Sequence, residues 1–542
     1  MIMLQLLFIW TLLGCGTEVT KKKPPVNKGS ATQTSQGKPS SGTLEMRTIE
    51  EILTYSTKQL QSAKLGDIYG QHLFTYSSQA EIQVWEENIS NYADTNFYFP
   101  KITSLLESTA KKLATLQGER LIIPDLRQMK VPVATHLASF SGEVLSLNGL
   151  TKLDPNVAKA LSAFRGEELS LNGLLQIDRD TAFALASYKG EFTASIHLNG
   201  IHSIDAEVAE AFSGFSGTLY LNGVSQLSQA SATALGSFTG KGLYLNGIEN
   251  IDQNIGLLLS SLQSSLSLRG VKKINDENMH KLAQFSGRKL FLNPQSGALD
   301  SMGALFSTFK GKEILISNVR VIPPDVVSIL RTVKYRFSFP ELTNIDKDMA
   351  IALLHSNDYS LHFQRPLSID LEALTILASF TGDDLSLRLP NLNVEQAKTI
   401  ASFGGESLRI DAQKIDKNIA SALATFAGEN LYLSQVTSLD AESAKALSLF
   451  AGEIISLSNV TAIDRETASA LATYQGEMIW LESLRQLDVD SAKALSAFQG
   501  NELCLRGLKN IDKQALIELG KFTGTLDMAN GLAQRLEMLT KE

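Results

Sequence analysis

From residue 97 onward the chain repeats one pattern of apolar and polar positions. Residues 145–166 read LSLNGLTKLDPNVAKALSAFRG, residues 431–452 read LYLSQVTSLDAESAKALSLFAG, and residues 97–118 read FYFPKITSLLESTAKKLATLQG. Each unit opens with two apolar residues two positions apart. Two apolar steps of three follow, then an Asp-like position, an Ala- and Leu-rich run, an aromatic residue and Gly. With the second apolar residue of each triplet as a marker, nineteen markers run from Phe99 to Met528. They are spaced by 23 or 24 residues, with one interval of 27 before Leu198 that predicts a three-residue insertion.

The pattern predicts one short strand and one short helix per unit. Alternation of period two puts both apolar residues of a triplet on one side of a strand and the middle residue on the other. Asn-Gly often follows, as at Asn148-Gly149, Asn172-Gly173, Asn199-Gly200, Asn222-Gly223 and Asn246-Gly247, and suits a turn through positive φ. Asp178, Asp205, Asp440 and Asp464 stand just before Ala-rich runs, where a carboxylate accepts backbone N–H bonds and caps a helix. Glu207, Glu442 and Glu466 follow two residues later, suiting the positive helix end. Ala158, Leu161 and Phe164 share a helical spacing of three, and Gly166 fits a left-handed helix end. Fifteen units have Gly at that last position. The recurrent Phe140, Phe164, Phe215, Phe238, Phe426, Phe450 and Phe498, two residues before Gly, read as a core stack.

Such a unit cannot bury its apolar side alone, but stacking on neighbours gives a continuous core. The predicted fold is therefore α/β: a curved solenoid of about nineteen strand-plus-helix units over 97–528, with a parallel inner sheet and outer helices. The pattern resembles the leucine-rich-repeat superfamily, whose period of 20–29 residues it shares. It departs from that superfamily's common form in having an apolar residue such as Leu174 where an Asn ladder is expected, and is similar instead to bacterial BspA-like surface repeats. The resemblance implies binding of protein, peptide or glycan on the concave sheet and no catalysis.

The flanks predict an address and two caps. Residues 1–14 form an apolar run too short to span a bilayer and suited to a signal peptide, although no Lys or Arg precedes it. Leu12-Leu13-Gly14-Cys15 resembles the bacterial lipoprotein box, which implies export to the cell envelope and membrane anchoring through a lipidated Cys15. Residues 15–44, with Lys21-Lys22-Lys23-Pro24-Pro25 and a run rich in Ser, Thr, Gln and Gly, predict a disordered tether. Residues 45–96 predict a mostly helical amino-terminal cap and residues 529–542 a closing helix carrying Leu532, Leu536 and Leu539.

Chemistry enters through the middle residues of the triplets, which line the inner sheet. Six of these nineteen positions are aromatic, against 7% of the whole chain. Tyr220, Tyr244, Phe291, His362, Arg409, Tyr432 and Trp480 are the candidate ligand-binding residues. The net charge of −8 argues against nucleic acid as a partner. The seven histidines form no H-E-x-x-H pair, Gly236–Lys241 falls one residue short of a phosphate loop, and no G-x-S-x-G elbow occurs. The Asp column is explained by capping rather than by calcium. The only two cysteines are Cys15 and Cys504, the latter at an inner-face position with no base in view. No catalytic site, cofactor or metal is therefore expected. The 542 residues read as an exported, lipid-anchored binding module, with a self-associating envelope scaffold as the alternative.

Overall fold

The computed structural model describes residues 73–75, 96–190, 193–294, 302–356 and 359–541. The signal segment, Cys15, the tether and most of the amino-terminal cap lie outside the described residues. Parallel strands follow one another in chain order, one per unit. Twelve form a sheet from Leu73–Thr75 to Arg336–Ser338, and eight form a second from Ser360–His362 to Thr525–Met528.

The register pairs equivalent residues of successive units. Tyr98 stands opposite Ile122, Ile122 opposite Ser146, and so on to Leu315 opposite Ser338. The second sheet repeats this from His362 opposite Ser386 to Cys504 opposite Asp527. The predicted middle residues thus form two columns, Tyr98 to Ser338 in the first sheet and His362 to Asp527 in the second. The strand at Leu73–Thr75 places Thr75 opposite Tyr98, so the sheet begins within the segment read as a helical cap. Between Arg336–Ser338 and Ser360–His362 the described strands do not pair. A two-residue ribbon, Asn344–Ile345 with Ser368–Ile369, bridges that step instead, helped by Gln364 N–H donating to the Pro340 carbonyl at 2.7 Å.

Helices of six to nine residues return the chain between most strands, beginning with Glu107–Leu113. Asp carboxylates start many of them as expected. Asp178 accepts from Thr181 N–H, Asp205 from Val208, Asp440 from Ser443 and Asp464 from Thr467, all at 2.7–2.8 Å. The bonds from Thr181 and Thr467 hold the Asp178 and Asp464 carboxyls below the usual range. Packed helices need about 8–10 Å between axes and paired strands only about 4.8 Å, so the array bends toward its strands. The chain closes with helix Asn530–Lys541, whose Leu532, Leu536 and Leu539 pack against the core.

Three local expectations are corrected. The helix containing Ala158 and Leu161 ends at Leu161, and Phe164 lies beyond it, held by a bond from its N–H to the Leu161 carbonyl. The glycines after the aromatic column are not left-handed. Only Gly190, beside the insertion, has φ of +59° among the described glycines. Elsewhere the requirement is space: a Cβ at Gly166 or Gly452 would overlap the ring of Phe164 or Phe450, two residues earlier, and backbone carbonyls of the preceding unit. The Gly of Asn-Gly is likewise set by close approach, since a Cβ at Gly173 or Gly223 would strike the carbonyl of Asn148 or Asn199. The insertion itself lies between Gly190 and Ser195, where Glu168 pairs with Ser195 twenty-seven residues on.

The aromatic column forms the core stack that its spacing predicts. Phe380, Phe403, Phe426, Phe450, Tyr474, Phe498 and Phe522 follow each other at ring separations of 5.9–6.3 Å and interplanar angles of 3–11°. Every one of these rings is buried.

Candidate ligand-binding face

Side chains of the middle column stand on the side of the sheet opposite the apolar core, so the strands that build the core also line up a half-buried strip. Aromatic residues gather there in two stations. In the first, the His197 and Tyr220 rings lie 4.0 Å apart, Tyr220 and Tyr244 4.3 Å, and Tyr244 and Phe291 6.0 Å. Ser267, between Tyr244 and Phe291, is fully buried beneath them. The Arg269 guanidinium and the Lys289 ammonium sit 5.4 Å and 5.3 Å from the Phe291 ring centre. Lys289 is also paired with Glu313, which Arg336 approaches at 3.5 Å. Burial raises both the Tyr220 and Tyr244 hydroxyls, lowers His197 to about 4 and raises the neighbouring Glu168, 3.7 Å from the His197 ring nitrogen. His197 is therefore a neutral ring at neutral pH.

The second station holds Arg409, Tyr432 and Trp480. Arg409 lies 4.5 Å from the Tyr432 ring centre and donates to the Ser434 hydroxyl at 3.0 Å. Tyr432 is only 7% exposed, so it supports Arg409 and Trp480 rather than meeting a ligand itself. The Tyr432 and Trp480 rings are 5.9 Å apart, across the buried Ser456. The Trp480 indole N–H is sealed from water without an acceptor among the described residues. His362 opens the second sheet; burial, then the Arg409 charge, lower it to about 4.

Cys504 is buried with its sulfur 3.4 Å from an Asp527 oxygen, and burial followed by that carboxylate pushes its thiol up to about 12. A thiol so protonated is a poor nucleophile. Among the described residues no three His, Cys, Asp or Glu side chains converge as metal ligands.

Beside the first station runs a second column. The Asn residues one position after the markers form a ladder. Asn148 Oδ1 accepts from Asn172 N–H at 2.8 Å, Asn172 from Asn199 at 2.9 Å, Asn199 from Asn222 at 3.0 Å, Asn222 from Asn246 at 3.1 Å and Asn246 from Arg269 at 3.0 Å. Its sequence signal was the five Asn-Gly pairs, which read locally as turns.

Strands pair in register within each sheet, short helices return the chain between them, and an Asn ladder runs from Asn148 to Arg269. The architecture is that of a leucine-rich-repeat solenoid. No protein-family model and no curated protein matches the sequence. Among solved structures, the chain is similar to a leucine-rich-repeat protein of Leptospira interrogans at 16% identity, over 86% of this chain and 98% of that one, with a TM-score of 0.30. It is also similar to Toll of Drosophila in its complex with Spatzle, at 13% identity over 82% of this chain and 55% of that one, with a TM-score of 0.31. A third is TLR13 in its complex with ssRNA13, at 14% identity over 82% and 64%, with a TM-score of 0.36.

Proposed function

We propose that this protein is an exported, lipid-anchored and non-catalytic binding module that holds a protein, peptide or glycan on the open side of its strands. The observation that carries the reading is the register of the middle column. It gathers His197, Tyr220, Tyr244 and Phe291 into one contiguous strip and Arg409 and Trp480 into another, on the side of the sheet away from the apolar core. Aromatic rings with a polar rim are the side chains from which binding surfaces draw most of their energy. The export reading rests on the apolar run of residues 1–14 and on Leu12-Leu13-Gly14-Cys15.

Replacing Tyr220, Tyr244 and Trp480 together by alanine removes half-buried ring surface and leaves the core column untouched. Envelope components retained by the immobilised wild-type protein should be lost by this variant while its far-ultraviolet circular dichroism stays the same. Retention by both proteins alike would remove the strand side as the binding surface, and concentration-dependent self-association unaffected by the substitutions would favour a scaffold. For the anchor, cells fed a radioactive fatty acid should label the wild-type protein and not the Cys15→Ser variant. Label that survives the substitution would overturn it.

A further inference from the structure

The Asn ladder assigns a chemical polarity to the first aromatic station. Each ladder Oδ1 is used inward, accepting a backbone N–H of the next unit, and this fixes which end of the amide is the NH2. At Asn148 and Asn172 the Nδ2 groups are also used inward, donating at 3.0 Å to Ser146 and Ser170, the middle residues of their own strands. At Asn199, Asn222 and Asn246 the middle residues are His197, Tyr220 and Tyr244, and the Nδ2 groups have no acceptor among the described residues. They are not among the buried polar atoms that lack partners, so they meet solvent. The next position of the ladder is Arg269, which is exposed and has no carboxylate partner among the described residues.

Four successive units therefore present donors in a row, Asn199, Asn222, Asn246 and Arg269, along an aromatic wall. The acceptors that would balance them are consumed by the fold. A complementary ligand is rich in oxygen acceptors and carries negative charge where it meets Arg269. It also has to repeat at the spacing of the strands, about 4.8 Å per donor. An extended peptide presents its carbonyls to one side only every second residue, about 6.8 Å apart, and slips out of step within two units. A linear chain of pyranose rings offers ring, hydroxyl and carboxylate oxygens on every residue.

We propose that the strip from Asn199 to Arg269 binds a linear acidic polysaccharide of the uronic-acid type, lying along the solenoid across the strands. The proposal rests on the reading of the strand side as the binding surface and names its ligand class. Glu168 bounds the strip at its amino-terminal end, where a second carboxylate would be repelled.

The test is titration calorimetry of the full chain with oligogalacturonate, a neutral cello-oligosaccharide and polyglutamate. Oligogalacturonate should bind and the other two should bind at least about tenfold more weakly. Asn222→Asp with Asn246→Asp keeps both ladder oxygens, replaces both NH2 donors with oxygen and should weaken oligogalacturonate by about tenfold or more. Arg269→Gln, at an exposed side chain, should do the same without altering the melting temperature, whereas Phe183→Ala, an exposed ring on the outer helix Arg179–Ala186, should change nothing. Equal binding of polyglutamate would make the occupant an acidic peptide, and equal binding of the neutral sugar would remove the role of charge; either overturns the proposal. If no sugar binds but the Tyr220, Tyr244 and Trp480 variant still loses its envelope components, the ligand class is wrong and the binding surface stands. If that variant loses nothing either, both fall.

Discussion

Phe450→Ala should destabilise the protein by about 3–5 kcal/mol in denaturant unfolding, the range for removing a fully buried aromatic ring. Phe450 lies between Phe426 at 6.0 Å and Tyr474 at 6.3 Å, nearly parallel to both. Its ring also covers Gly452, where no side chain could fill the void. The surrounding backbone is held by the pairing of strands Asn430–Tyr432, Ile454–Ser456 and Met478–Trp480, so collapse onto the cavity is resisted. Because each unit touches only its neighbours, the loss should be local. Hydrogen exchange should rise first in residues 431–481, and uniform loss of protection along the chain would contradict nearest-neighbour stacking. Phe450→Tyr is the informative control and should cost under about 1 kcal/mol. Tyr474 occupies the same column and donates its hydroxyl to the Gly452 carbonyl at 2.8 Å, and Tyr188 donates likewise to Gly166. A tyrosine at 450 has the equivalent Gly428 carbonyl within the same reach.

These columns show which parts of the molecule were legible in the sequence. Period, strand register and Asp caps follow from the preferences of a residue and its near neighbours, so apolar spacing and the Asp178 or Asp464 position were enough to place them. Gly166 and Asn222 were misread because their constraints come from one unit away. Gly166 is required by the Phe164 ring and by carbonyls of the preceding unit, not by its own φ. Asn222 looks like a turn residue alone, yet its side chain serves the backbone of Asn246. The candidate site divides in the same way. Alternation correctly set Tyr220, Tyr244 and Trp480 on the open side, but exposure depends on what the adjacent strand carries. Arg409 lies over Tyr432, and rings on either side close over Ser267 and Ser456. Arg269 escaped the candidate residues because it sits outside the middle column, and only the ladder links it to the aromatic station.

Asn222→Ala should cost about 1–3 kcal/mol, the penalty for leaving a polar group without its partner. The substitution removes the acceptor of the Asn246 N–H, which the neighbouring unit confines at 3.1 Å from Asn222 Oδ1. It leaves Asn199 Oδ1 still bonded to the residue 222 N–H, so the ladder is cut at one rung rather than dissolved. Asn222→Asp should lie within about 1 kcal/mol of wild type, since a carboxylate oxygen accepts the same N–H and hydrogen bonds to charged acceptors are the stronger ones. The pair is measured by thermal and denaturant unfolding at neutral pH. Equal loss in both variants would show that the amide NH2, and not the ladder oxygen, holds the units together. A stable Asp variant beside a weakened Ala variant would divide the asparagine into its two ends: an oxygen committed to the fold, and an NH2 left for whatever lies on the strands.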